Sequence, residues 1–349
     1  MFKFLQNLVP KDDNQNQLEK SEPKKKSKKK QVYVPVYLDL PEMSLIQPSG
    51  DMSAKIREEL REPDADAIAK DIAAIREWLD KQPHLPKDMD DQRLTTFLRG
   101  CKFSLEKVKQ KLDMYYTMRN AIPEFFTNRD INRPELGEIM DIADMPPLPG
   151  LTPSGCRVVC LRAVDRDNMP NNVADGMKVA LMIGDVRLYE EKTGVAGDIY
   201  VMDASVATPT HFAKFTPTLV KKFLVCVQEA YPVRLKEVHV INVSPLVDTI
   251  VNFVKPFLKE KIRDRIHIHS SLEDLYKFVP KEMLPSEYGG GAGSIKDLNE
   301  QWRNKLKDYT QWFKDQEASK ANETLRPGGA RAVDDLFGVD GSFRQLSID

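Results

Sequence analysis

Between residues 157 and 269 the chain alternates short β-branched runs with long helical stretches, and this rhythm narrows the fold more than any other feature. The runs are Arg157–Ala163, Asp198–Asp203, Glu237–Val243 and Ile266–His269. Helical stretches lie between them, from Asn172 to about Lys192, from Thr216 to Glu229, and over 246–264. Strands that recur at roughly 40-residue spacing cannot be joined by hairpin turns. Each has to return through a crossover, which builds βαβ units and a largely parallel sheet. Thr216 before Pro217 reads as an N-cap with proline at the first helical position. The predicted class is α/β.

Upstream, from Met52 to about Phe126, the period is helical throughout. Ile68, Ile72, Ile75 and Leu79 form one stripe, and Asp91 opens a second helix through Leu94, Phe97 and Leu98. Ser104 caps a third through Val108, Leu112, Tyr115 and Met118, with Lys107 where a capping box would carry an acid. Pro123 ends it. The proline-rich MPPLPG at 145–150 reads as a connector to the α/β part. Residues 1–50, with KKKSKKK at 24–30, can bury too little apolar surface to order themselves. That lysine run suits a nuclear localisation signal, a membrane tether or a solvated tail. The expected organisation is a disordered segment 1–50, a helical part 52–126, an α/β domain 146–293, a C-terminal helix 294–317 through Leu298, Trp302 and Leu306, and a mostly coil tail 318–349.

Lys+Arg 52 against Asp+Glu 53 leaves no global field to attract nucleic acid. The longest apolar runs, VALMI at 179–183 and FLVCV at 223–227, fall far short of the ~20 residues a spanning helix needs. MFKFLQNLVP lacks the apolar core of a secretory signal, and Cys101, Cys156, Cys160 and Cys226 show no CxxC spacing. A reducing, cytoplasmic setting follows, with the Asn322 sequon unused. Of the histidines His84, His211, His239, His267 and His269, only His267 and His269 share a strand face as paired metal ligands would. No third ligand follows, and His239 reads as a hydrogen-bonded core residue. The glycines at 289–293 spell neither GxGxxG nor a P-loop, and no GxSxG elbow exists. No catalytic residue, metal or cofactor site is expected, and the chain does not read as an enzyme.

The sharpest local signal is NVSPLVDTIVNFVKPFLKEKIRDR at 242–265. Leu246, Ile250, Phe253 and Phe257 form one row, and Val247, Val251, Val254, Leu258 and Ile262 a second, so the apolar band is wide. Lys255, Lys259, Lys261, Arg263 and Arg265 follow against only Glu260 and Asp264. Such a helix suits a buried core element with a solvated end, or a cover that also meets an anionic membrane surface.

Together with FLRGCKFSLEKVKQKL at 97–112, VMDAS at 201–205, FTPTLVKKFLVCVQEAYPVRLKEVHVIN at 215–242 and NFVKPFLKEKIRDRIHIHSSLEDLYKFVPKEMLPSEYGG at 252–290, the chain resembles the CRAL-TRIO lipid-transfer family. Its landmarks are most similar to the alpha-tocopherol transfer protein and retinaldehyde-binding protein branch, over roughly residues 52–315. The resemblance implies a cytosolic carrier whose parallel sheet floors a lipid cavity closed by a mobile gate helix, here the 246–264 segment. It assigns to the cavity Met177, Ala180, Leu181, Gly184, Met202, Phe223, Cys226, Val227, Val233, Leu235 and Val238, with Leu246, Val247, Ile250 and Phe253 from the gate. It further implies a phosphoinositide cleft of Arg234, Lys236, Lys261 and Arg265. Three positions depart from the pattern. Cys101 replaces a cation of the FLRAR-type motif, Gly184 a polar cavity residue, and Asp198 an apolar wall residue. The leading expectation is a monomeric carrier of a tocopherol, retinoid or similar lipid that exchanges cargo at phosphoinositide-containing membranes. The alternative is a phosphoinositide-sensing adaptor that recruits a protein partner through its lysine-rich N-terminus.

Overall fold

The computed structural model of the chain describes residues 44–164, 170–243 and 246–337. The lysine run at 24–30 lies outside the described residues, as does the tail beyond Phe337. The helical front consists of α1 (Gly50–Leu60), α2 (Ala65–Asp80), α3 (Asp91–Gly100), α4 (Leu105–Ala121), the single turn α5 (Pro123–Phe126) and α6 (Pro134–Ile142). Asp64 and Asp90 cap α2 and α3, each accepting at 2.8 Å from the amide three residues on. Ser104 holds the N-cap position of α4 without a side-chain bond. The expected stripes meet in one core, with Ile75, Leu79, Leu94, Phe97, Leu98, Val108, Leu112, Tyr115 and Met118 buried and Ile68 and Ile72 at its margin. At the end of α3, Gly100 lies so close to Pro232 that a Cβ would come within 2.2 Å of its carbonyl oxygen. Backbone cannot step aside as a flexible side chain does, so Gly100→Ala should cost roughly 1–3 kcal/mol in urea denaturation. A loss too small to measure would show that the 231–234 turn gives way freely.

The sheet contains β1 (Ala143–Asp144), β2 (Pro147–Leu151), β3 (Cys156–Ala163), β4 (Gly197–Asp203), β5 (Leu235–Ile241) and β6 (Ile266–Ile268). Strands β3 to β6 lie side by side and parallel, while β1 and β2 pair antiparallel with β3. The crossovers carry α7 (Val173–Glu190), then α8 (Pro209–Ala213) and α9 (Pro217–Val225) with a π turn at Cys226–Ala230, then α10 (Val247–Val254) and α11 (Glu260–Arg263). Thr216 caps α9 through its hydroxyl, which accepts from the Leu219 amide at 3.3 Å. No helix among the described residues is long and apolar enough to cross a membrane.

The MPPLPG stretch departs from its expected role as a connector: Pro147–Leu151 is a fully buried strand. Proline is tolerated in a strand on a sheet margin, and here the unpaired carbonyls are met by a side chain. Arg157, fully buried, donates Nη1 to the carbonyls of Leu148, Pro149 and Gly150 at 3.1, 2.6 and 2.9 Å. Its Nη2 donates to the Ile46 carbonyl at 2.8 Å, and the Ile46 amide donates to Pro149 at 3.0 Å. That corrects the expected disorder of 1–50 for its last residues, because Ile46 is hydrogen-bonded to β2, Gln47 accepts from Thr193 and Leu45 is buried.

A second departure is the C-terminal part. In place of one helix over 294–317 there are two, after the short α12 (Leu272–Leu275): α13 (Ile295–Asp308) and α14 (Thr310–Gln316), followed by α15 (Val333–Phe337). The coil between α14 and α15 runs back over the helical front. Ala321 and Asn322 amides donate to the carbonyls of Tyr116 and His84 at 3.0 and 2.8 Å. Arg326 and Arg331 share the Asp113 carboxylate at 2.9 and 2.7 Å, and Phe337 is buried in the front's core.

Front and sheet are joined through Asp185 of α7, which is 1% exposed. Its Oδ2 accepts from Arg119 Nη2 and Arg129 Nη1, both at 2.6 Å, and its Oδ1 from Tyr231 Oη at 2.8 Å and Tyr115 Oη at 3.3 Å.

Candidate functional site

In a strand, alternate side chains share a face, and residues in register across a parallel pair point the same way. Two rows of four therefore stand on one face of the sheet: Val159, Tyr200, Val238 and Ile266, then Leu161, Met202, Val240 and Ile268. The opposite face carries Val158 and Ile199, then Cys160, Val201, His239 and His267, then Asp203 and Ile241.

The faces differ sharply in what covers them. On the opposite face Val158, Cys160, Ile199, Val201, His239 and Ile241 are all buried. Tyr288 closes it by donating Oη to Asp203 Oδ2 at 3.1 Å, and the Phe278 ring lies 4.9 Å from His239 and 5.2 Å from His267. His239 is a hydrogen-bonded core residue, with His269 Nε2 2.8 Å from its Nδ1 and Glu237 Oε2 3.1 Å from its Nε2. Burial pushes the His239 imidazole down to about 4.

The first face is apolar yet unsealed. Only Val159 and Val240 are buried, while Leu161, Tyr200, Val238 and Ile266 are half-buried. Met202 is 41% exposed and Ile268 46%. Val238 has a strand on either side, so its exposure arises from unfilled space above the sheet rather than from a margin. One end of this face is closed by a buried ionic network. Arg187 of α7 grips Asp198 through Nη1 and Nη2 at 2.9 and 2.7 Å, and Arg187 and Arg157 both donate to Glu191. Asp198 thus has a structural partner that accounts for its departure from an apolar wall residue. Burial would raise the Glu191 carboxyl, but Arg187, with Arg157 behind it, holds it below the ordinary carboxylate value.

Over the other end lies α10. Val247 is buried against Ala204 and Val240, and Val251 packs beside them with Ile266. Phe253 meets the Phe212 ring of α8 edge-on at 4.9 Å and Phe257 at 6.0 Å. The segment 246–264 is not one helix as expected: a 3₁₀ turn at Lys255–Phe257, containing Pro256, and an extended Leu258 separate α10 from α11. Proline removes a helical donor at that point, and Gln228 of the π turn pins the break. Its Nε2 donates to the Phe257 carbonyl and its Oε1 accepts from the Lys259 amide, both at 3.0 Å.

The expected cavity residues fall into separate groups. Met202 and Val238 stand on the open face, with Leu235 half-buried opposite Asp198 on the adjoining strand. Val247 is the buried first residue of α10, with Leu246 and Ile250 half-buried near it. Met177, Leu181 and Cys226 are buried in the core shared with the helical front, and Phe223, Val227, Val233 and Phe253 pack against that core partly exposed. Ala180 is half-buried, as is Gly184, where a Cβ would meet the Tyr231 ring at 3.7 Å. Leu161, Tyr200, Val240, Ile266 and Ile268 share the open face with Met202 and Val238 but are not among the expected residues. The signal that finds them is the period of two carried across the strand register.

At the start of β5 is a basic group. Arg234 Nη2 and Lys236 Nζ both donate to one oxygen, Oε1 of Glu59 on α1, at 2.9 and 2.7 Å. Arg265 Nη1 donates to the Leu235 carbonyl, which seats a third cation beside them. Lys261 is exposed on α11. Arg265 lies beyond the end of that helix at Arg263, so the two do not share one helical turn. Cys101 is buried and brings no charge, its thiol pushed up by desolvation.

Residues 146–290 match the CRAL/TRIO domain, and residues 64–136 match the Pinta-like UBA domain. The human alpha-tocopherol transfer protein-like is 33% identical over 249 residues, which cover 70% of this chain and 71% of that protein. Rat Clavesin-1 is 28% identical over 260 residues, 72% of each chain. The crystal structure of Sfh5 overlays 73% of this chain and 93% of its own with a TM-score of 0.42 and 14% identity. A parallel sheet with one open apolar face under a short amphipathic helix, carried on a domain match and a relative at this identity, places the chain in the CRAL-TRIO family of lipid-binding and lipid-transfer proteins.

Proposed function

We propose that the protein is a cytoplasmic carrier that holds a hydrophobic small molecule, such as a tocopherol or retinoid, against the open face of its sheet. It releases the cargo at phosphoinositide-containing membranes, with which it associates reversibly as a monomer. The observation that carries this reading is the contrast between the two sheet faces, one sealed and one apolar but half-exposed beneath α10. A ligand burying about 500 Å² there gains roughly 12 kcal/mol from desolvation, of which association consumes a large part. Native mass spectrometry of the protein isolated from cells that make it should find one apolar molecule per chain. An empty chain that also fails to take up a fluorescent tocopherol or a retinoid overturns the proposal.

In this reading α10 and the turn after it swing outward and offer Phe253 and Phe257 to lipid. Both rings are half-buried against protein, so little apolar surface is exposed until they move. Burying one such ring contributes roughly 1.5–3 kcal/mol. Phe253→Asp should therefore weaken binding to anionic vesicles by about tenfold or more and slow transfer in proportion. Transfer at the native rate, with ligand affinity intact, would make the helix a static wall.

A further inference from the structure

We infer that Glu59 of α1 is an internal plug, a carboxylate standing where a phosphorylated head group would bind between Arg234 and Lys236. This rests on the reading of those cations as a phosphoinositide site. One carboxylate oxygen bridges two cations from different side chains, which is the arrangement a phosphate oxygen would take. The Lys236 ammonium first, and Arg234 behind it, hold the Glu59 carboxyl below its ordinary value, so it is ionised at neutral pH. Arg234 still has an unmet need: its Nη1 is buried and has no hydrogen-bond acceptor. A ligand with several anionic oxygens can satisfy that donor and both cations together, whereas Glu59 offers its contacts through a single oxygen.

The plug is well held yet displaceable. Ile56 and Leu60 of α1 are buried, and past its end Glu62 forks onto Arg99, Oε2 accepting from Nε at 3.0 Å and Oε1 from Nη2 at 2.8 Å. The Glu59 side chain itself is 45% exposed, and exposed carboxylate pairs are weak. A doubly charged phosphate should outcompete it, and the displaced carboxylate can turn to solvent while α1 stays docked. Bare phosphatidylserine, with a single small charge per lipid, has less to gain from the exchange.

Vesicle flotation of the full chain decides the matter. It compares phosphatidylcholine vesicles doped with bisphosphorylated inositol lipid against vesicles doped with phosphatidylserine at equal surface charge. Soluble inositol trisphosphate, followed by calorimetry, separates a free phosphate from a membrane head group. Glu59→Gln should tighten binding to the inositol vesicles by about three- to tenfold and leave phosphatidylserine binding near native. Tightening toward inositol trisphosphate as well would extend the plug to soluble phosphates. Glu58→Gln, the same charge change one residue away on an exposed side chain, is the control. If it tightens binding as much, the effect is general electrostatics and the plug is wrong. If the native chain prefers inositol lipid and Glu59→Gln binds no more tightly, the plug alone fails. If neither protein distinguishes the two lipids nor binds inositol trisphosphate, the cleft reading fails and takes the plug with it.

Discussion

Replacing Asp185 by asparagine should lower the unfolding free energy by about 3–5 kcal/mol, the cost of removing one partner from a buried charge group. The carboxylate is fully enclosed and takes hydrogen bonds from two guanidinium groups and two phenols. Asparagine keeps the shape and an acceptor but leaves Arg119 and Arg129 uncompensated. Neither arginine has much else to rely on. Nε and Nη1 of Arg119, and Nε and Nη2 of Arg129, are buried without acceptors, and the remaining support is neutral: Arg119 Nη2 donates to Tyr115 Oη at 2.6 Å, the Tyr115 ring lies 3.6 Å from the Arg119 guanidinium, and the Phe313 ring lies 5.0 Å from that of Arg129. Urea denaturation of the two proteins measures the difference, and a loss under about 1 kcal/mol would show that water or relaxation supplies what Asp185 does.

The same residue gives a pH dependence with a definite sign. Burial would raise the Asp185 carboxyl, but Arg119 and Arg129 outweigh it and hold it below its ordinary value. A carboxyl depressed in the folded state stabilises above its unfolded value, about 3.9, and that contribution is lost as pH falls through the lower folded value. The gap between native protein and Asp185→Asn should therefore be constant from neutral pH down to about 4 and close below it. A gap already closing at pH 6 would mean that the carboxyl is not held low.

Much of the architecture was legible because period is a local property. Strands β3, β4, β5 and β6 stand within two residues of the β-branched runs, α9 begins at the cap read from Thr216, and α7 begins one residue past Asn172, where its stretch was expected to start. What escaped depends on partners distant in sequence. Nothing in MPPLPG announces a strand, because the group that stabilises it is Arg157, whose guanidinium satisfies three of its carbonyls. The break in the 246–264 segment is half visible as Pro256, but the clamp that fixes it is Gln228, more than a full crossover away. The tail looked featureless, yet Arg326 and Arg331 find Asp113 on α4. The basic group shows the same limit. Four cations could be named from the motif, while Glu59, which two of them bind, lies outside every landmark. Of the open sheet face only Met202 and Val238 were named, because alternation within a strand is visible but register between strands is not.

That register makes the last expectation specific. Val238→Trp should abolish retention of the hydrophobic cargo while leaving the fold's stability within about 1 kcal/mol of native. Val238 lies on the open face, flanked in register by Tyr200 and Ile266 and only half-buried, so an indole placed there fills space instead of displacing neighbours. Its volume is then denied to any ligand that lies on the sheet. Val201→Trp on the adjacent strand is the matched control, since that side chain points to the sealed face and is 1% exposed. Overpacking a filled core costs roughly 1–3 kcal/mol and sometimes more, so this variant should lose stability and, if it folds, keep its cargo site. Native mass spectrometry and titration with a fluorescent retinoid or tocopherol read cargo, and urea denaturation reads stability. Should Val238→Trp carry cargo as the native chain does, the ligand does not rest on this face. Should it unfold as readily as Val201→Trp, the space above Val238 is not there to be filled.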